Sequence, residues 1–256
     1  MKSSYILLSL FALVACNVLD LYTTQSGDGT YYGPDNNSGN CGIYPVPSQI
    51  SSATQGLNVA MNAPQYFGSA ACGLCLQVTG NGTGSGSNPI TGTFLVFVND
   101  QCPECKPGDL DLAKNGDGRW KISWKVVDCP VGDSKIQYSY QSISQYYIKL
   151  QPRNNRIALN YISIQDPTSG TYFAMTRTSD NYFTLPDSYN AKPLTFPIKI
   201  QLVAFNGQVL NDTVPQEVEC NSAVEVLISQ FHLSLLLSLK LYKVLALAQD
   251  QALLPV

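Results

Sequence analysis

Short apolar runs separated by turn residues organise most of this chain; long amphipathic repeats do not. Between about 24 and 131, residues 76–78, 93–98 and 122–127 read as strands, and 80–88 reads as a flexible Gly-rich loop. The stretch with helical spacing in this block is 55–66. A second block, 135–216, carries strand patterns at 136–140, 146–150, 157–164, 172–176 and 198–204. Turn signals at 152–154, 167–170 and 206–207 separate them at the spacing of a β-sandwich. The pattern predicts two mainly β domains with a short linker.

Both ends of the chain depart from this pattern. Lys2, the apolar run 5–14 and the small residue Ala15 fit a secretory signal over residues 1–19, and the run is too short to span a bilayer. Leu13-Val14-Ala15-Cys16 also suits a bacterial lipoprotein signal; a plain signal peptide is the simpler reading. Residues 217–256 form a Leu-rich tail. Its uncharged run 226–239 is shorter than the roughly 20 residues a spanning helix needs. With Lys240 and Lys243 as snorkelling flanks, 226–247 becomes a candidate membrane tether, against a soluble or packed helix.

Composition then removes whole classes of function. Only 13% of the 256 residues are charged and the net charge is −3, which excludes a nucleic-acid binder reliant on a basic patch. The single histidine, His232, lies in the tail, so Ser-His-Asp catalysis and His-rich metal sites are excluded as well. No cofactor or metal is expected. Sequons at Asn36, Asn81 and Asn211 are candidate glycosylation sites of a secreted, extracellular chain. Cys72/Cys75 and Cys102/Cys105 have the Cys-x-x-Cys spacing of a four-thiolate zinc site, although in a secreted chain that spacing reads more readily as disulfides. Cys220 is left over.

The densest chemistry lies in Asp100-Gln101-Cys102-Pro103-Glu104-Cys105 and Gly108-Asp109-Leu110-Asp111-Leu112. In an extended segment Asp109 and Asp111 share a face while Leu110 and Leu112 enter the core. Crowded carboxylates beside apolar residues raise one pKa, as a general acid for a glycosidic oxygen requires. A solvated acidic turn or a calcium loop is the plainer alternative.

These strings resemble the signature of the expansins and expansin-like proteins. Gly29-Thr30-Tyr31-Tyr32-Gly33, Ala60-Met61-Asn62 with Gln65-Tyr66, Ala71-Cys72-Gly73-Leu74-Cys75 and Ile122-Ser123-Trp124-Lys125-Val126-Val127 follow the same family order, over about 24–216. The resemblance implies a six-stranded double-psi β-barrel at 24–131, then an immunoglobulin-like, carbohydrate-binding β-sandwich at 135–216. It makes Asp111 the essential acidic residue, with Thr30 and Asp100 beside it in a groove. It also implies the pairs Cys41–Cys72, Cys75–Cys129 and Cys102–Cys105. Relatives carry a helix after Asp-Leu-Asp-Leu; here residues 113–119 leave room only for a turn at Asn115-Gly116-Asp117-Gly118.

The same barrel serves family-45 endoglucanases, whose general base follows the Thr-x-Tyr segment. Here Gly33-Pro34 takes that place and Asp35 stands one residue late. In the second domain Tyr146 and Tyr147 resemble the family's aromatic pair, suited to stacking on sugar rings. Neighbours on one strand face opposite ways, which predicts one buried and one exposed tyrosine. The family's third platform aromatic matches near Asp180, with Tyr182 two residues on; Tyr32 is a further candidate sugar contact. The resulting expectation is a secreted, monomeric, non-hydrolytic protein that binds cellulose or a related β-glucan and loosens microfibril contacts. A weak endoglucanase or lytic transglycosylase, and a purely structural polysaccharide-binding matrix protein, are the rival readings.

Overall fold

The computed structural model describes residues 18–34, 39–189 and 193–214, with the backbone of a short strand at Val224–Glu225. The expected signal region up to residue 17, Asp35, Asn36, Cys220 and the candidate tether 226–247 lie outside the described residues. No helix among the described residues is long and apolar enough to cross a membrane.

The first half closes a barrel from β1 (Gln25–Tyr31), β2 (Asn58–Asn62), β3 (Cys75–Ser85), β4 (Thr91–Cys102), β5 (Leu110–Leu112) and β6 (Arg119–Val127). Their spatial order is β1-β5-β2-β4-β3-β6, with β1·β5 and β2·β4 parallel. Alternation drives β6: Trp120, Ile122, Trp124 and Val126 enter the core while Arg119, Lys121 and Lys125 face water. The expected pairs Cys41–Cys72, Cys75–Cys129 and Cys102–Cys105 all form, and all lie in this half.

Two local expectations are corrected. Residues 55–66 are not one helix: 58–62 are β2, and only α2 (Ala63–Tyr66) is helical, after α1 (Ser48–Ala53) earlier in the chain. β2 sits between β4 and β5 and is buried at every position, so its run carries no alternation to betray a strand. Asn62 ends it and caps α2 by accepting a hydrogen bond from the Gln65 N–H. Residues 80–88 are not simply a loop either. β3 continues to Ser85 after a register shift, pairing Gly84 with Trp120 and Ser85 with Arg119. Residues 113–118 hold no helix, as expected, and the Asp117 carboxylate fastens this turn by accepting from the Ser87 and Asn88 N–H groups.

The second half contains β7 (Gln137–Ile143), β8 (Ile148–Arg153), β9 (Leu159–Gln165), β10 (Tyr172–Ala174), β11 (Thr176–Arg177), β12 (Phe183–Thr184), β13 (Ile198–Ala204), β14 (Val209–Val214) and β15 (Val224–Glu225). They build a four-stranded sheet, β10-β9-β13-β14, and a five-stranded sheet, β11-β12-β8-β7-β15. Tyr138, Tyr140 and Leu150 of the larger sheet share one apolar core with Ile162, Ile164, Ile200 and Leu202 of the smaller.

The halves meet along the polar face of β8. Gln151 donates to the Cys41 carbonyl, and Arg153 donates to the Gly42 and Tyr44 carbonyls. Ser69 donates to the Thr178 carbonyl from the barrel side.

Candidate functional site: an acidic row and a tyrosine hairpin

The row begins with a close backbone approach. A Cβ on Gly27 would stand 2.2 Å from the Gly108 carbonyl, and one on Gly108 (φ +88°) would stand 2.1 Å from the Ser26 carbonyl oxygen. Two glycines therefore let β1 lie against the segment entering β5. The parallel register that follows sets Thr30 opposite Asp111. On the other side of β5, Ala60 of β2 is opposite Asp111, and a register shift at Val59/Ala60 also sets Ala60 opposite Asp100 of β4. Thr30, Asp111, Ala60 and Asp100 thus form one row across four neighbouring strands. At strand spacings near 4.8 Å, the two aspartate backbones stand roughly 10 Å apart with a methyl group between them. Ala60 as the small spacer was not singled out from sequence; only the register reveals it.

Thr30 Oγ1 donates to Asp111 Oδ1 at 2.6 Å. Burial pushes the Asp111 carboxyl above the usual carboxylate range; the Thr30 bond pulls the other way, and Glu104 adds to the rise. Part of the burial is the Cys102–Cys105 disulfide, whose sulfurs and the Asp111 carboxylate lie within 4.8 Å of one another. With both sulfurs bonded together this trio offers no thiolate to a metal.

The other acidic residues of the motif do different work. Asp109 is buried and fastens the turn: it accepts from the Asp28 N–H at 2.8 Å and pairs with Arg119 at 3.2 Å. It does not present its carboxylate beside Asp111 as the simple two-residue period predicts, because it precedes β5 and turns toward β1. Asp100 Oδ1 accepts from the Asn40 N–H at 2.7 Å and the Gln101 N–H at 2.8 Å. It anchors the loop that carries Asn40 to the second half.

The tyrosine pair lies in the bend between β7 and β8. Ser144 holds that bend, its Oγ accepting from the N–H groups of Tyr146 and Tyr147. The alternation argument for one buried ring therefore fails: Tyr146 is 61% exposed and Tyr147 44%. Tyr182 is a second correction. It is 4% exposed, packed beside Gly42 at the seam, with its hydroxyl accepting from Arg153, so it offers no face to a sugar. At the place matched to a third aromatic, Asp180 pairs with Lys149 Nζ at 2.7 Å. Tyr32 is exposed just past β1, and Asn81 and Asn211 are exposed strand residues.

An open cleft of about 710 Å³ lies elsewhere, lined by Tyr31, Gln55, Leu57, Phe94, Leu112 and Lys114 among others. It includes none of Thr30, Asp100 or Asp111, and the chemistry of the row outweighs its size in locating the site.

No protein-family model matches the chain. Three curated relatives come from Dictyostelium discoideum. Expansin-like protein 2 is 27% identical over 221 residues, covering 80% of this chain and 50% of its own length. Expansin-like protein 1 is 24% identical over 207 residues, with 75% and 67% covered, and expansin-like protein 5 is 24% identical over 233 residues, with 83% and 90% covered. The chain spans about half the length of the first of these. Two crystal structures of Clavibacter michiganensis expansin, one of a point variant in complex with cellohexaose and one without ligand, match with TM-score 0.66 and 25% identity. Each covers 83% of this chain and all of the solved one.

Proposed function

We propose that this relative of the expansins is a secreted protein that binds cellulose or a related β-glucan and weakens the lateral contacts between glucan chains without cutting them. The observation that carries the reading is the Thr30–Asp111 pair, 2.6 Å apart on a strand row facing partly outward. A half-buried hydroxyl and carboxyl at that distance can exchange their mutual bond for bonds to sugar hydroxyls. Glucan–glucan hydrogen bonds are then replaced by protein–glucan ones, which needs no cofactor and no covalent intermediate. Tyr146 and Tyr147 supply stacking surfaces, with Asp100 closing the far end of the row and Tyr32 two residues beyond Thr30 at the other.

Inverting hydrolysis needs a free base about 6.5–9.5 Å from the acid, with a water between them. Pro34 occupies the matched position, and Asp100 already accepts two backbone N–H groups through one oxygen. One observation favours hydrolysis as the second reading: the upward push on the Asp111 carboxyl suits a general acid.

A single assay separates the readings. The purified chain is applied to cellulose paper, and mechanical weakening and new reducing ends are recorded together. Weakening without reducing ends, lost in Asp111→Asn, is the expected result. Reducing ends that disappear in Asp111→Ala establish an enzyme instead. Binding that survives the substitution, with no weakening by the native chain, leaves a matrix-binding protein.

A further inference from the structure

The Lys149–Asp180 pair is connected to both the acidic row and the tyrosine hairpin. Asn40, whose N–H donates to Asp100, also donates through Nδ2 to the carbonyl of Ser179, the neighbour of Asp180. In the other direction Lys149 is two residues beyond Tyr147 on the strand leaving the bend. A polymer running from Thr30 and Asp111 to the tyrosines would pass this pair.

The pair is held in place yet reachable. Thr178 Oγ1 donates to Asp180 Oδ1, Lys149 Nζ donates to Oδ2, and the ammonium stands 5.1 Å over the Tyr182 ring. Their side chains are 21% and 35% exposed. An ammonium has three donors and one is used here, and the Asp180 carboxylate, which accepts from Lys149, Thr178 and its own N–H, keeps a lone pair on one oxygen. Fixed donor and acceptor atoms 2.7 Å apart match two neighbouring equatorial hydroxyls, which stand about one hydrogen-bond length from each other.

Resting on the glucan-binding reading, we propose that Lys149 and Asp180 form a diol-reading subsite that selects β-1,4-linked over β-1,3-linked glucan. Every internal unit of a β-1,4-glucan keeps free hydroxyls at C2 and C3. An internal β-1,3 unit has its C3 oxygen in the linkage and keeps no adjacent pair on the ring. Where the expected third aromatic would stack on either polymer alike, a charged pair reads the linkage.

Calorimetry on the full chain with cellohexaose and laminarihexaose tests this. The native chain should bind cellohexaose about tenfold more tightly, the worth of one charge-assisted hydrogen bond. Lys149→Met and Asp180→Asn should each lose most of that preference while keeping the laminarihexaose affinity, and Lys149→Arg should retain it. Tyr147→Ala should weaken both ligands by a similar factor, because stacking does not read linkage. Equal native affinities, or an unchanged preference in both Lys149→Met and Asp180→Asn, overturn the subsite while leaving glucan binding in place. A native chain that binds neither oligosaccharide overturns the glucan-binding reading itself.

Discussion

The two halves of this molecule solve the problem of holding a β structure in different ways. The barrel carries the three disulfides found among the described residues, and its acidic row is set by two parallel pairings and one antiparallel pairing between strands far apart in sequence. The two-sheet half has no disulfide among its described residues and relies on one apolar core, into which it buries a Tyr138–Asp212 hydrogen bond. The candidate chemistry follows the same division. Asp111 is half-buried and tied on a strand, whereas Tyr146 and Tyr147 stand out on a bend. A group that must exchange hydrogen bonds gains from being pre-positioned, and a stacking ring gains from exposure.

Removing the longest covalent tie gives the largest expected effect. Cys75 and Cys129 close a span of 54 residues around β3 to β6, so a Cys75→Ala/Cys129→Ala chain should lose about 4 kcal/mol of barrel stability. Cys102–Cys105 closes a span of only 3, and its removal should cost about 2 kcal/mol. Urea unfolding followed with hydrogen exchange on β7 to β14 checks both points. Loss of protection in the two-sheet half along with the barrel would show that the seam couples the halves into one unit.

The polar tie of the second half is weaker. Tyr138 donates to Asp212 at 2.6 Å with both residues buried, so Tyr138→Phe should cost about 2 kcal/mol by stranding a carboxylate oxygen. Tyr140 is the built-in control. Its buried hydroxyl has no hydrogen-bond partner among the described residues, so Tyr140→Phe should be neutral or slightly stabilising in the same thermal melts.

What the sequence reveals follows the same line. Strands with one wet face announce themselves: residues 198–204 were expected as a strand and form β13, with Lys199 outward between Ile198 and Ile200. β2 is hidden because both its faces are dry. The acidic motif and the cysteine pairs are legible through family resemblance, but the row itself depends on pairing register, which no local pattern encodes. Ala60, Asn40 and the Lys149–Asp180 pair acquire a role only through what stands opposite them. The misplaced Tyr182 has the same origin: composition marks an aromatic residue, and only the seam determines that its ring is covered.

The exposed tyrosines sharpen the contrast between binding and stability. Tyr146→Ala or Tyr147→Ala should cost about 1 kcal/mol of glucan affinity, roughly fivefold, from lost ring contact. Neither should move the melting temperature measurably, because neither ring contributes to the core. A large drop in melting temperature would place the hairpin in the fold rather than on its surface.

The smallest effect is the one whose sign says most about Asp111. Its carboxyl in the folded chain is pushed above the usual range by burial, so the folded state holds a proton that the unfolded state releases first. The associated stability is fully present below the unfolded value and is lost as pH rises through the folded one. Asp111→Asn keeps the shape and an oxygen to accept from Thr30, but it cannot ionise. The variant should therefore gain stability relative to the native chain between pH 3 and pH 7, by a small amount because the side chain is only partly buried. Parallel urea titrations at the two pH values measure that difference. A relative loss toward neutral pH would mean that the folded chain favours the anion. Asp111 would then act as a fixed acceptor of sugar hydroxyls, and the general-acid reading would lose its main support.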